Sequence, residues 1–134
     1  MSKKTFPLKS KGFNPFGELI GLNFIKSEKG YTQSVIEVKD KLFNPHGILH
    51  GGIIYSMADT SMGGALYPML AENELCATVE VKINYFKPVT SGSIVCDTKV
   101  IHKGKKIAVM ESEISNNGKL VAKAMGTYSI FRLS

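Results

Sequence analysis

The chain has 134 residues, of which 43% are hydrophobic and 21% charged, a balance that excludes a disordered polypeptide and a length that excludes two full domains. Seventeen basic against eleven acidic residues leave a net charge of +6, which suits anionic partners, yet the lysines are scattered rather than gathered on one helix, and that argues against nucleic acid. No apolar run reaches the roughly 18 residues of a membrane span and no apolar segment follows the N-terminal lysines, so a cytoplasmic location is expected by default.

Residues 1–17 mix lysine, glycine and proline without a period. They read as an arm that packs on the surface or on a neighbouring subunit, with one domain over 18–134. Residues 18–26 and 31–39 carry β-branched and aromatic side chains on either side of Glu28-Lys29-Gly30, so a first hairpin is expected there. In the loop that follows, Pro45 biases Asn44 towards an extended backbone and Gly47 permits a tight bend.

From Gly51 to Leu70 almost every residue is apolar or small, and Asp59 carries the only charge. Ile53, Ile54, Met57, Ala58, Ala65, Leu66 and Met69 fall on neighbouring helical turns, and a helix apolar on nearly all sides is normally buried. The spacing therefore predicts a central helix. It ends near Tyr67, because Pro68 has no amide proton to donate, although a kink with one further turn is the alternative. Gly63 and Gly64 each cost about 1 kcal/mol relative to alanine inside a helix, so the close approach of another backbone is expected beside them. An ionised Asp59 there needs a partner or water.

Ala77, Val79, Val81, Ile83 and Tyr85 alternate with Thr78, Glu80, Lys82, Asn84 and Phe86, the period of a strand with one buried face. Three more strands follow over 93–102, 106–115 and 119–131, turned at Lys103-Gly104-Lys105 and at Asn116-Asn117-Gly118, a strong hairpin signal. Strands joined so tightly are antiparallel. Cys76 and Cys96 are too few and too far apart for a metal or redox motif and read as reduced core residues. One helix across an antiparallel sheet is an α+β architecture.

This order of elements, with Asn44, Gly47, His50-Gly51-Gly52, Asp59 followed by small residues and Gly63, and then Thr78-Val79-Glu80, Tyr85 and Pro88, resembles the hotdog fold and, within it, the PaaI-like acyl-CoA thioesterases. The resemblance implies a curved antiparallel sheet wrapped around a long central helix, subunits paired as dimers and often tetramers, and active sites at the dimer interface. It implies an acyl-CoA substrate with no metal or redox cofactor. By position, Gly51 would be the oxyanion donor and Asp59 the acid that activates water. Asn44, His50 and Thr78 would be supporting polar groups, and Gly52 a substrate-binding neighbour. Lys103, Lys105 and Lys106 would meet the phosphates of coenzyme A, and an apolar tunnel beside the helix would take the acyl group.

Elementary physics supports two of these roles independently. Amides in the first turn of a helix have no intrahelical acceptor, and with the helix dipole they favour developing negative charge. Glycine at that point lets a substrate approach the backbone. Asp59 follows Gly51 by eight residues, about 12 Å along an ideal helix axis, so a second subunit is expected to supply the acid. Each residue also has a plainer reading. Asp59 could be satisfied by Ser56 or Thr60, His50 could cap the helix, Asn44 could be a turn residue, and Thr78 a polar-face strand residue; Glu80, His46 and His102 read as surface groups. Direct attack by Asp59 to form an anhydride fits the same residues. A hotdog hydratase or dehydratase would need a histidine paired with the acid, as His50 with Asp59. A non-catalytic acyl-CoA-binding protein is the remaining alternative.

Overall fold

The computed structural model describes Lys4 and residues 12–133; the greater part of the expected N-terminal arm lies outside them. Helix α1 (Pro15–Ile20) opens the described fold, with proline in its first turn and Asn14 Oδ1 accepting from the Gly17 amide at 3.1 Å. Gly21, at φ 78°, closes it in the left-handed conformation that glycine adopts without strain. These caps make residues 18–20 helical, and the first strand, β1 (Asn23–Glu28), starts later than its composition suggests. It turns at Lys29-Gly30 into β2 (Tyr31–Glu37).

Helix α2 (Gly51–Leu66) follows, continued by one 3₁₀ turn over Tyr67–Met69 around Pro68. The α-helix thus ends beside Tyr67, as expected, and Pro68 is taken up in the single 3₁₀ turn that follows. Strands β3 (Glu74–Tyr85), β4 (Ser93–Lys103), β5 (Ile107–Asn116) and β6 (Lys119–Arg132) complete the chain. Asn117 and Gly118 both have positive φ, 52° and 78°, as a two-residue type I′ hairpin requires. All pairings are antiparallel, in the order β1-β2-β4-β5-β6-β3, so β3 leaves the sequence neighbours and forms one edge. The sheet curves around α2, and this is the hotdog fold.

The inward face of the sheet meets Ile54, Met57, Ala58, Met62 and Leu66 of α2 through Ile36, Ile94, Met110, Ile114 and Ala124. A buried band of hydroxyls runs through this core. Ser34 Oγ meets Ser61 Oγ at 2.8 Å, Thr32 Oγ1 donates to the Ser61 carbonyl at 2.9 Å, and Thr98 Oγ1 meets Ser112 Oγ at 2.7 Å. Each hydroxyl has a partner, which removes most of the cost of burying it. Both cysteines are free; Cys96 is buried in this band, where burial pushes its thiol up, and Cys76 is half-buried.

Two expectations need correction. Gly63 does not make the expected close approach, since a Cβ there would meet Tyr128 Cε2 at an ordinary 3.7 Å; a tight helix–sheet contact lies instead at Gly126 of β6, where a Cβ would stand 2.6 Å from Met62 Sδ. Nor is α2 enclosed on all sides within one chain. Gly52 is exposed, and Tyr55, Ser56, Asp59, Thr60 and Gly63 are only half-buried, forming one stripe at helical spacing.

Candidate functional site

The site is built between α2 and the edge strand β3, which run in opposite directions: Tyr85 lies beside Gly51 and Thr78 beside Asp59. Strict alternation could not bring both strand residues to the helix, because seven positions separate them and odd separations face opposite ways. A bulge resolves this. Thr78 pairs with Tyr128 and Glu80 with Thr127, leaving Val79 as the extra residue, 58% exposed. The alternation predicted for β3 therefore holds only after the bulge, where Val81 and Ile83 pack on the core, and Thr78 belongs to the helix side rather than the polar face. Glu80, by contrast, is an exposed residue as expected, accepting from Thr127 Oγ1 at 3.0 Å.

At the start of α2, His50 is the N-cap. Its Nδ1 accepts from the Gly52 amide at 2.7 Å, and its carbonyl accepts from Ile53 at 2.9 Å. An unprotonated Nδ1 puts the proton of a neutral ring on Nε2, so the exposed edge is a donor and not a base. With those amides taken, the Gly51 N–H has no hydrogen-bond acceptor among the described residues. Tyr85 lies against this turn, its hydroxyl donating to the Gly51 carbonyl at 2.6 Å. A Cβ on Gly51 would stand 3.2 Å from the Tyr85 ring, and one on Gly52 2.8 Å from His50 Nδ1. Both glycines are thus fitted to their neighbours.

Asn44 orders the loop before the helix. Its Oδ1 accepts from the amides of His46 at 2.8 Å and Ile48 at 3.2 Å, the turn role open to an asparagine at this point.

Asp59 finds its partners inside its own chain, but not among its helix neighbours. Ser56 Oγ is engaged with the Gly52 carbonyl at 2.7 Å. The donors are Thr78 Oγ1 at 2.8 Å and the Tyr128 hydroxyl at 2.5 Å, both on Oδ1, and the Tyr128 hydroxyl also lies 2.5 Å from the Asp59 backbone carbonyl. Oδ2 has no donor among the described residues. Burial first, and then the hydrogen bond to Asp59, push the Tyr128 phenol well above its ordinary value, so it acts here as a neutral donor. Sequence reasoning missed Tyr128, which lies 69 positions from Asp59. The pairing of His50 with Asp59 that a dehydratase needs is not formed within the chain, since each is bonded to other groups.

Two hollows flank this arrangement. A recess of about 320 Å³ has Gly51 in its wall with Ile48, Ile54, Tyr85, Phe86 and Val89. A larger groove of about 700 Å³ is lined by Lys103, Lys105 and Lys106 together with Arg132, Glu74 and Phe131. The three lysines singled out in the sequence share one groove, and Arg132, far along β6, is the cation that turn composition alone could not add. Among the described residues no three of His, Cys, Asp and Glu are grouped as metal ligands, and no helix is long and apolar enough to cross a membrane.

Residues 46–123 match the family model described as the thioesterase superfamily. A Saccharolobus solfataricus protein, provisionally named an esterase, is 37% identical over 114 residues, spanning 84% of this chain and 75% of its own. A Salmonella typhimurium medium/long-chain acyl-CoA thioesterase is 26% identical over 132 residues, covering 87% and 85% of the two chains. Among solved structures, a mutant of the phenylacetic acid degradation protein PaaI of Thermus thermophilus superposes with a TM-score of 0.81 at 27% identity, covering 89% of this chain and 99% of its own.

Proposed function

The chain belongs to the thioesterase superfamily and is a thioester hydrolase, and from that premise we propose that it cleaves an acyl-CoA to the free acid and coenzyme A in a site completed by two copies of the chain. The observation that carries this reading is the presence, on one helix, of a Gly51 amide at its start and a carboxylate, Asp59, such that neither the amide nor Oδ2 has a hydrogen-bond partner among the described residues. Both lie on the side of α2 towards the edge strand. The Gly51 N–H polarises the thioester carbonyl, and Asp59 takes a proton from a water that attacks the carbonyl carbon. The tetrahedral oxyanion rests on the amide. Its collapse breaks the C–S bond, and the proton held by Asp59 passes to the departing thiolate. Aiming one such donor at an oxyanion is worth about 3 kcal/mol in comparable cases.

The exposed His50 Nε2–H is a second donor to the carbonyl, Gly52 leaves room for the thioester, and Asn44 acts by holding the loop. The apolar recess beside Gly51 takes the acyl group. Lys103, Lys105 and Lys106, with Arg132, take the phosphates of coenzyme A. The acyl-CoA named for the Salmonella relative supports this substrate class.

A free-thiol release assay over short, medium, long and aromatic acyl-CoAs tests the reading. Asp59→Ala and Asp59→Asn are expected to lose about 100-fold or more in kcat while remaining folded and assembled. Parental turnover in either variant would show that Asp59 is not the acid.

A further inference from the structure

The Asp59 carboxylate is asymmetric in a way that the overall reaction does not demand. Both of its donors, Thr78 Oγ1 at 2.8 Å and the Tyr128 hydroxyl at 2.5 Å, converge on Oδ1. Thr78 and Tyr128 are directly paired across β3 and β6, which is why two side chains so far apart in sequence reach one oxygen. The tyrosine is only 4% exposed, and its hydroxyl also contacts the Asp59 main-chain carbonyl. It therefore fixes the backbone and the side chain of the same residue.

We propose that Tyr128 is a positioning residue for the hydrolysis, acting with Thr78 to hold the Asp59 carboxylate in one rotamer, with Oδ1 occupied and Oδ2 presented to the attacking water. This rests on the reading of Asp59 as the water-activating group. A freely turning carboxylate would divide its time among orientations, and only one of them is productive for proton transfer. Two donors on Oδ1 occupy its lone pairs, so proton abstraction falls to Oδ2. The strong upward displacement of the phenol keeps it protonated throughout the neutral range. A tyrosinate in its place would repel the carboxylate instead of holding it.

The test compares Tyr128→Phe, Thr78→Val, the double variant and Asp59→Asn by steady-state thiol release and thermal melting. Tyr128→Phe keeps the ring against Gly63 and removes only the hydroxyl. The expected result is a fall in kcat of about 10- to 100-fold, the rate equivalent of one hydrogen bond to a charged group. KM should stay within about twofold, because the hydroxyl does not touch the substrate. The double variant should lose less than the product of the single losses, since both donors serve the same oxygen. Parental kcat in Tyr128→Phe at a temperature well below its melting point would overturn the inference, as would a loss confined to KM or independent of Thr78. Parental turnover in Asp59→Asn would instead overturn the reading on which the inference stands, so the two failures are distinguishable.

Discussion

His50 does two things with two nitrogens. Nδ1 caps α2 through Gly52, and Nε2 is left facing outward as a donor. The two roles separate by substitution. Asparagine is among the best N-cap residues, so His50→Asn should melt close to the parent while turnover falls; His50→Ala should also lose about 1 kcal/mol of stability. Equal turnover in the parent and His50→Asn would reduce the histidine to a cap. Tyr31 gives a separate check on the electrostatics. Its bond to Asp97, at 2.6 Å, is the main reason its phenol is pushed up to about 12. The folded state holds this proton more tightly than the unfolded state, so stability is fully present below about pH 10 and declines as pH rises towards 12. Urea midpoints between pH 9 and 11 should fall, and less steeply in Tyr31→Phe. The surroundings of Asp59 were only half legible. Thr78 stands out beside Val79-Glu80, but Tyr128 looks like any aromatic residue in a strand until β3 and β6 are paired.

Strand β3 is the element on which the site depends. Its alternating residues predicted a half-buried strand, and its position at the edge, with Ala77 to Glu80 all exposed, was not legible because strand order is a property of the whole sheet. The bulge was also hidden, since Val79 fits the alternation as well as any valine. Deleting Val79 removes the extra residue and, if the pairing beyond Glu80 is kept, leaves Thr78 opposite Tyr128 and on the same face as Tyr85 by plain alternation, so Thr78 should stay at Asp59. The shortened protein should fold with the same circular dichroism and keep its turnover; a loss of about 10-fold or more in kcat would show that Thr78 does not hold its place by this pairing. Helix α2 and the hairpins β4–β5 and β5–β6 were legible because local signals determine them: an apolar run ended by Pro68, and Asn117-Gly118 at a two-residue turn. Helix α1 was not, because its caps, Asn14 and Gly21, flank only six residues. At Gly126, by contrast, packing admits little change. Valine there would run into Met62 and Val81 and should cost about 1–3 kcal/mol in urea denaturation.

Across the whole molecule, the proposed function has the basic groove and the apolar recess divide the work of binding. Lys105→Glu with Lys106→Glu should raise KM for an acyl-CoA about tenfold, yet leave hydrolysis of an acyl thioester lacking the nucleotide unchanged. A similar loss on both substrates would remove coenzyme A phosphate binding from that groove. A twelve-residue edge strand with one side unpaired among the described residues is a template for a second chain, and the half-covered stripe of α2 around Asp59 lies beside it. Gly51 and Asp59 share one rigid helix with about 12 Å between them along its axis, so the account requires the amide of one copy to meet the carboxylate of another. Mixing two inactive variants, Gly51→Val and Asp59→Asn, tests this most directly. Random pairing makes about half of the dimers mixed, each with one intact and one doubly damaged site, so about a quarter of the parental turnover should return. Mixed dimers confirmed by native mass spectrometry that hydrolyse no faster than the separate variants would contradict it.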